Sequence, residues 1–353
     1  MSALLSPATA AELVEAVRAT PRVLAVGART KPRLSQVSPD VALLSTRSLR
    51  GILEYEPDEY TFTALAGTPV LELAGILEER GQYLPFDPFL AAAGSTLGGT
   101  VCSGLSGPGR FRFGGVRDFI LGIRFVDGSG RLLRLGGKVV KNAAGFDLPK
   151  FFTGSLGRFG VLVELTFKVF PRPSGSLTLS LPVADSAAAV SLLTAVSCSR
   201  WEPEAIDLLP SGNAALRLSG PQGAITAIAG EILSRWPGEI LSGEAAGALW
   251  AELREFRWAL ADGALLKVAP IPRDIPALAS AVHALEGRMH VSSGGNAAYV
   301  SLPPGADPAG LCLPALTLRG ACALWHRAPA PAAISGAVKA ALDPCGRFPA
   351  LAD

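Results

Sequence analysis

Residues 94–115 read GSTLGGTVCSGLSGPGRFRFGG, and eight of these twenty-two positions are glycine. What those missing side chains make room for decides how the first half of the chain is read. A main chain without Cβ atoms can bring its own N–H groups against a flat or anionic ligand. Known phosphate grips are testable on the residues themselves. The pattern GxxxxGK[ST] is absent, because Gly137 and Lys138 are followed by Val139. The pattern GxGxxG is absent from the stretch, because Arg112 stands where the third glycine would follow Gly107 and Gly109. No apolar strand leads into it with a helix behind, as a Rossmann turn requires. What remains is a long, non-repetitive loop in basic company. From 110 to 158 there are ten Lys or Arg against three acids, Asp118, Asp127 and Asp147. A buried pyrophosphate needs donors and a positive field of that kind. The competing reading is a glycine-rich surface turn with solvated arginines.

A second loop shares the chemistry. The apolar run RVLAV at 22–26 reads as a strand and leads directly into Gly27, Ala28, Arg29, Thr30 and Lys31. Successive N–H groups after such a strand can form an anion nest, with Thr30 and Lys31 adding donors.

Around these loops the first half alternates short strands and helices. A helix is expected after Ser6-Pro7-Ala8-Thr9, through about Ala19, stopped by Pro21. Runs at 51–55 and 61–66 flank the turn Pro57-Asp58-Glu59 and read as a hairpin, as do 119–127 and 131–135 around Asp127-Gly128-Ser129-Gly130. VLVELTFKVF at 161–170 alternates like a strand, and Pro171-Arg172-Pro173 punctuates the chain. The second half has another rhythm. Strand 177–183, helix 185–197, strands near 205–209 and 214–218 and helix 222–235 are followed by strand 264–269, helix 274–286 and strands near 289–293 and 297–302. Two such units predict an α+β lid. The expected domains are 1–173, 174–330 and a C-terminal helix and tail at 331–353.

The chain has 353 residues, 49% hydrophobic and 18% charged, with a net charge of +2. That is enough for two domains and offers no global case for nucleic acid or an anionic membrane. No run reaches the roughly 20 apolar residues of a membrane span, and MSALLSPATAAELVEAV lacks the basic start of a signal peptide. The five cysteines, Cys102, Cys198, Cys312, Cys322 and Cys345, are scattered without a CxxC pair. A zinc or iron–sulfur site on this chain is not expected, and a cytoplasmic setting is.

The segments VLAVGARTK, GSTLGGTVCSGLSG, RFGGVRDFILGIRFVDGSG and GGKVVKNAAGFDLPKFFTGSLGRFGVLVELTFKVFPRP together resemble the flavin-binding domain of the PCMH/vanillyl-alcohol-oxidase superfamily. KNAAGFD followed by GSLGRFG resembles, within it, the FAD-binding subunit of bacterial glycolate oxidase (glycolate dehydrogenase). The resemblance is strong over 22–173, weak over 174–330 and faint in VKAALDPCGRFP at 338–349. It implies an α+β fold: a PCMH-type FAD-binding domain of two α+β subdomains, then an α+β (ferredoxin-like) cap. It also implies non-covalent FAD, held by Val26, Gly27, Ala28, Arg29, Thr30 and Lys31, then by Pro88, Thr96, Gly98, Gly99, Ser103, Gly104, Ser106 and Gly107. Phe113, Gly114 and Asp118 would complete the wall, and Gly160 and Val161 would meet the adenine side. The pattern departs from the family at Ala28 and Arg29, where glycines are usual, and at Phe348-Pro349, which lacks a preceding Asn. The superfamily's histidyl flavin link is excluded in this domain, since no His precedes His283. Cys102 is read as packing rather than as a flavin bond.

Oxidising a 2-hydroxy acid needs a cation for the carboxylate, a base for the hydroxyl proton and a hydride acceptor. The second half is poor in candidates. Lys267 breaks the apolar alternation of ALLKVAPIP and reads either as a buried cation facing an acid or the flavin, or as an edge lysine facing water. His290 lies at a strand start in MHVSSGGNAAYV, and the stretch from it to Asn296 reads as a turn rather than a metal motif. His283 reads as structural, and Lys141 and Asn142 as flavin-pocket or turn residues. The resemblance therefore implies a partner-dependent subunit. It would carry electrons from glycolate through FAD toward an iron–sulfur subunit, beside a larger catalytic flavoprotein, peripheral at the inner membrane through those partners. A self-sufficient FAD-dependent 2-hydroxy-acid dehydrogenase, drawing on His290, His326, Lys267 or Arg319, and a scaffold that has lost FAD stay open.

Overall fold

In the computed structural model, which describes residues 3–137, 148–327 and 332–350, the apolar runs separated by Gly and Pro become strands. By its internal contacts the chain divides into two compact units. One holds Met1–Leu105, Gly115–Pro171 and Ala330–Asp353, the other Ser106–Gly114 and Arg172–Pro329. The division differs from the sequence boundaries in two places. Ser106–Gly114 groups with the second unit, where the Arg112 guanidinium bonds the Glu202 carboxylate at 2.8 Å and Phe111 packs on the core. The C-terminal segment groups with the first. There Val23 N–H donates to Arg347 O at 2.8 Å, Gly128 N–H to Leu342 O at 2.8 Å, and the Arg347 guanidinium to Thr20 O at 2.7 Å.

The first unit opens with a parallel sheet of β1 (Leu4–Leu5), β2 (Val23–Val26) and β3 (Ala42–Ser45) in the order β1-β3-β2. An antiparallel sheet follows, built from β4 (Ile52–Glu56), β5 (Thr61–Leu65), β7 (Ile120–Val126), β8 (Leu132–Gly136) and β9 (Val161–Lys168) in the order β4-β5-β9-β7-β8. The pair β6 (Gln82–Tyr83) and β10 (Phe170–Pro171) stands apart. β9 is central, and its alternation explains its place. Val161, Val163, Leu165 and Phe167 are all buried, while between them Glu164 pairs with Arg124 and the Thr166 hydroxyl meets that of Thr63 at 2.9 Å. The helix Ala10–Ala19 starts where the Thr9 hydroxyl accepts from Glu12 N–H at 3.1 Å. Its Leu13 and Val17 pack with Val23, Leu44, Val126 and Phe348.

The second unit is one nine-stranded sheet built from two copies of one plan. The first copy has β11 (Ser176–Leu181), β12 (Ala205–Leu208), β13 (Ala214–Ser219) and β14 (Glu239–Ile240), in the order β14-β11-β13-β12. Helices Ser186–Ser197 and Gln222–Arg235 make its crossovers. The second copy has β15 (Ala264–Val268), β16 (Arg288–Ser292), β17 (Ala297–Leu302) and β18 (Ala315–Arg319), in the order β16-β17-β15-β18. Its helix is Ile275–Ala284, a 3₁₀ turn Pro308–Leu311 replaces the second crossover helix, and β19 (Trp325–His326) ends the sheet. In each copy the first strand lies between the third and the fourth, the ferredoxin-like arrangement. The copies join where Leu208 of β12 faces Val291 of β16. One sheet face is apolar, with Ile206, Leu216, Leu266, Val291 and Val300 in the core formed with the helices. Among the described residues no helix is long and apolar enough to cross a membrane.

Candidate functional site

The first unit holds a cleft enclosing about 470 Å³ of empty space, solvent included, where β2 ends. Gly27, Ala28, Arg29, Thr30 and Lys31 form one wall; Thr96, Gly99, Cys102 and Ser103 form another, with Leu156 beside them. The glycine-rich stretch is not the uninterrupted loop that its composition suggests. Leu97–Ser103 is a helix, capped by the Thr96 hydroxyl, which accepts from Gly99 N–H at 3.2 Å. Tertiary contacts require its Gly98, despite the poor helix propensity of glycine, and Gly27 across the cleft. A Cβ on Gly98 would stand 2.9 Å from the Ala66 Cβ and one on Gly27 2.2 Å from the Thr96 hydroxyl oxygen.

The two loops hold their amides differently. Leu97 N–H donates to Thr68 O at 2.9 Å and Gly98 N–H to Ala66 O at 2.8 Å, so the second loop binds largely to its own fold. Among the described residues, the main-chain N–H groups of Gly27, Ala28, Arg29 and Thr30 donate to no protein acceptor. Arg29 takes a left-handed φ of 56°, the conformation that a glycine adopts freely. Lys31 is buried, and its ammonium donates to the Thr30 hydroxyl at 3.2 Å. These residues fit a dinucleotide diphosphate: unspent amides, a cation and a hydroxyl on one rim, with hydroxyls and a glycine across from them. Burial pushes the Cys102 thiol up, against weaker lowering by Ser155, Gly157 and Arg158. The thiol is thereby held protonated and poorly nucleophilic.

The other residues read as flavin contacts lie elsewhere. Gly98 faces Ala66, and Gly104 ends the helix in the left-handed region, at φ 62°. Pro88 is half-buried and Asp118 exposed, its carboxylate accepting from Gly115 N–H at 2.9 Å. Gly160 packs on Phe125 and Val126, and Val161 begins β9. Ser106, Gly107, Phe113 and Gly114 belong to the second unit. Lys141 and Asn142 lie outside the described residues.

The second unit carries a polar row on the sheet face opposite its apolar one. Lys267 stands across from Tyr299 on β17, and Tyr299 across from His290 on β16, so the three share a face. The edge reading of Lys267 fails, because β15 runs between β17 and β18. His290 lies inside β16 with no exposed surface, and the turn of that stretch follows it at Ser293–Gly295. Its Nε2 is 2.8 Å from an Asp207 carboxylate oxygen. The other Asp207 oxygen accepts from the Ser292 hydroxyl at 2.9 Å and from Ser293 N–H at 3.2 Å. The His290 ring stacks on Tyr299 with centroids 5.9 Å apart. Lys267 is part-buried, and among the described residues nothing accepts a hydrogen bond from its ammonium. Burial first, then the charge of Arg110, pushes its pKa down to about 8. Burial pushes the Tyr299 hydroxyl well up, so it stays protonated, and it donates to Ser106 O at 3.4 Å. Asp207 and Tyr299 carry no sequence signal of their own; only strand pairing brings them to Lys267 and His290. Among the described residues no group of His, Cys, Asp and Glu is arranged to hold a metal ion.

Comparison with known proteins places this geometry. Residues 1–136 match the family model described as FAD binding domain. The glycolate oxidase subunit GlcE of Escherichia coli is 40% identical over 220 residues, 60% of this chain and 58% of that protein. The glycolate oxidase subunit GlcD of Bacillus subtilis is 29% identical over 47% of this chain and 35% of its own length. The D-2-hydroxyglutarate dehydrogenase of Xanthomonas citri pv. viticola is 33% identical over 40% of this chain and 30% of its own length. The matched part thus spans less than two thirds of each of these relatives. An alkyldihydroxyacetonephosphate synthase structure shares the fold, with a TM-score of 0.72 over 97% of this chain and 76% of that one, at 18% identity. The match of residues 1–136 to an FAD binding domain, together with these relatives, indicates that the chain binds FAD.

Proposed function

We propose that the chain is the FAD-binding subunit of a cytoplasmic, heteromeric glycolate (2-hydroxy acid) oxidase or dehydrogenase, assembled with a larger flavoprotein and an iron–sulfur subunit. The similarity to the GlcE and GlcD subunits supports the assembly. FAD, held without a covalent bond at the cleft of Gly27–Lys31 and Thr96–Ser103, supplies the electron acceptor. The observation that carries the substrate class is Lys267. A part-buried ammonium beside a second cation, Arg110, and without an acceptor among the described residues lacks an anion. A small carboxylate completes that site at the Lys267 ammonium. His290 is fully buried behind Tyr299 and locked by Asp207, so it positions the row rather than touching substrate. No side chain in the row is placed to take the hydroxyl proton, which favours a subunit completed by its partners over a self-sufficient dehydrogenase.

The purified chain is expected to be yellow, to release all its FAD on acid precipitation, and to turn over glycolate only when the partner subunits are added. Carboxylate affinity is expected to fall as pH rises through about 8, since the clamp needs the Lys267 ammonium. Protein that takes up no added FAD overturns the cofactor assignment. A chain that is active alone, or a carboxylate that binds more tightly above that pH, overturns the partner-dependent clamp.

A further inference from the structure

The C-terminal helix Ala333–Leu342 places a cation where the flavin reading has no use for one. The Lys339 ammonium donates to Arg158 O at 2.8 Å, to Phe348 O at 3.0 Å and to the Asp343 carboxylate at 2.5 Å. Asp343 is buried and also accepts from Arg347 N–H at 2.8 Å and from Phe348 N–H at 3.0 Å. A charge-assisted knot of this kind is rigid, because every member is a partner of another.

The knot is tied to both flanks of the cleft. Arg158 lies two residues beyond Leu156, which lines it. The same loop is fastened to the capped helix, with Leu156 N–H donating to Cys102 O at 2.9 Å and Gly154 N–H to Val101 O at 3.0 Å. Leu156 is itself held at a left-handed φ of 50°, a conformation that persists only where surroundings enforce it. Gly157 packs on β2, where a Cβ would come 3.1 Å from Leu24. On the other flank, the 2.8 Å bond from Val23 N–H to Arg347 O joins the tail to the strand that ends at Gly27.

We infer that Lys339 is a positioning residue for the flavin cleft: from behind, it holds the loop that carries Leu156 in register with β2 and the helix at 97–103. The inference rests on the reading of that cleft as the FAD site. The test uses the full chain stripped of flavin. FAD affinity is titrated by quenching of flavin fluorescence, and amide hydrogen exchange is followed at Gly154 and Leu156, for wild type, Lys339→Met, the milder Lys339→Gln, which keeps an N–H donor, and Phe62→Leu, a truncation of a buried ring of β5 that stacks on Phe167. Lys339→Met is expected to weaken FAD binding at least tenfold and to speed exchange at both amides, with Lys339→Gln intermediate and Phe62→Leu changing neither beyond twofold. Wild-type protein that binds FAD while both Lys339 variants bind it within twofold, or variants that move only as far as Phe62→Leu at equal loss of melting temperature, overturn the inference alone. Wild-type protein that takes up no FAD overturns the reading of the cleft and this inference with it.

Discussion

At the scale of single residues, Lys267 separates function from stability. Its ammonium is disfavoured by folding, since its pKa drops from 10.5 to about 8. Charged in the unfolded chain and penalised in the folded one, it costs stability at neutral pH. The cost is relieved as pH climbs from about 8 to 10.5. Lys267→Met should therefore stabilise the protein near pH 7, by up to about 3 kcal/mol, while abolishing carboxylate binding. Thermal melts at pH 7 and pH 10 check this: the stability gap between variant and wild type should close at the higher pH. A destabilised variant, or one that still binds the acid, would contradict it. The sequence marked Lys267 as a break in an apolar run, but edge and centre of a sheet look alike in one dimension. Arg29 makes a similar point. Glycine is usual there in the family the chain resembles, yet Arg29 itself adopts the left-handed backbone that glycine takes freely.

Among the elements, the contact of β2 with the helix at 97–103 decides the cleft. Gly27 and the Thr96 cap occupy one space: a Cβ on Gly27 would lie 2.2 Å from the Thr96 hydroxyl oxygen but 3.4 Å from its Cβ. Gly27→Ala must therefore expel the cap or shift the strand, and FAD affinity should fall at least tenfold. Thr96→Ala alone should cost about 1 kcal/mol of stability, the usual worth of such a cap. The double variant should regain most of the lost affinity, because only the hydroxyl clashes. Flavin titration of the three proteins checks this, and a double variant as weak as Gly27→Ala sinks the idea. The helix itself was hidden in the sequence. Gly98 and Gly99 each cost about 1 kcal/mol against helix formation, and at Gly98 the offsetting gain, close approach to Ala66, comes from another part of the chain. β9 was plain by contrast, since VLVELTFK carries its period of two openly.

For the molecule as a whole, two separately packed units predict two thermal transitions. With FAD at the cleft proposed for the first unit, binding should raise one midpoint and leave the other. At a free FAD concentration of 100 times Kd the gain is about 2.7 kcal/mol for that unit. Calorimetry with and without FAD checks it, and a single transition moved as a whole, or no movement, tells against it. From its order of residues alone the chain determined the alternating strands, the doubled plan of the second half, and the likeness to flavin-binding domains, through motifs such as GSLGRFG. These are properties of neighbours along the chain: periodicity, turns and short spacings. Tertiary structure alone decided which amides stay unspent for a ligand, that Ser106–Gly114 groups with the second unit and the tail with the first, and that Asp207, His290, Tyr299 and Lys267 stand in one row. The reason is that strand pairing and the burial of charge depend on partners tens to hundreds of residues away, and local pattern carries no record of them.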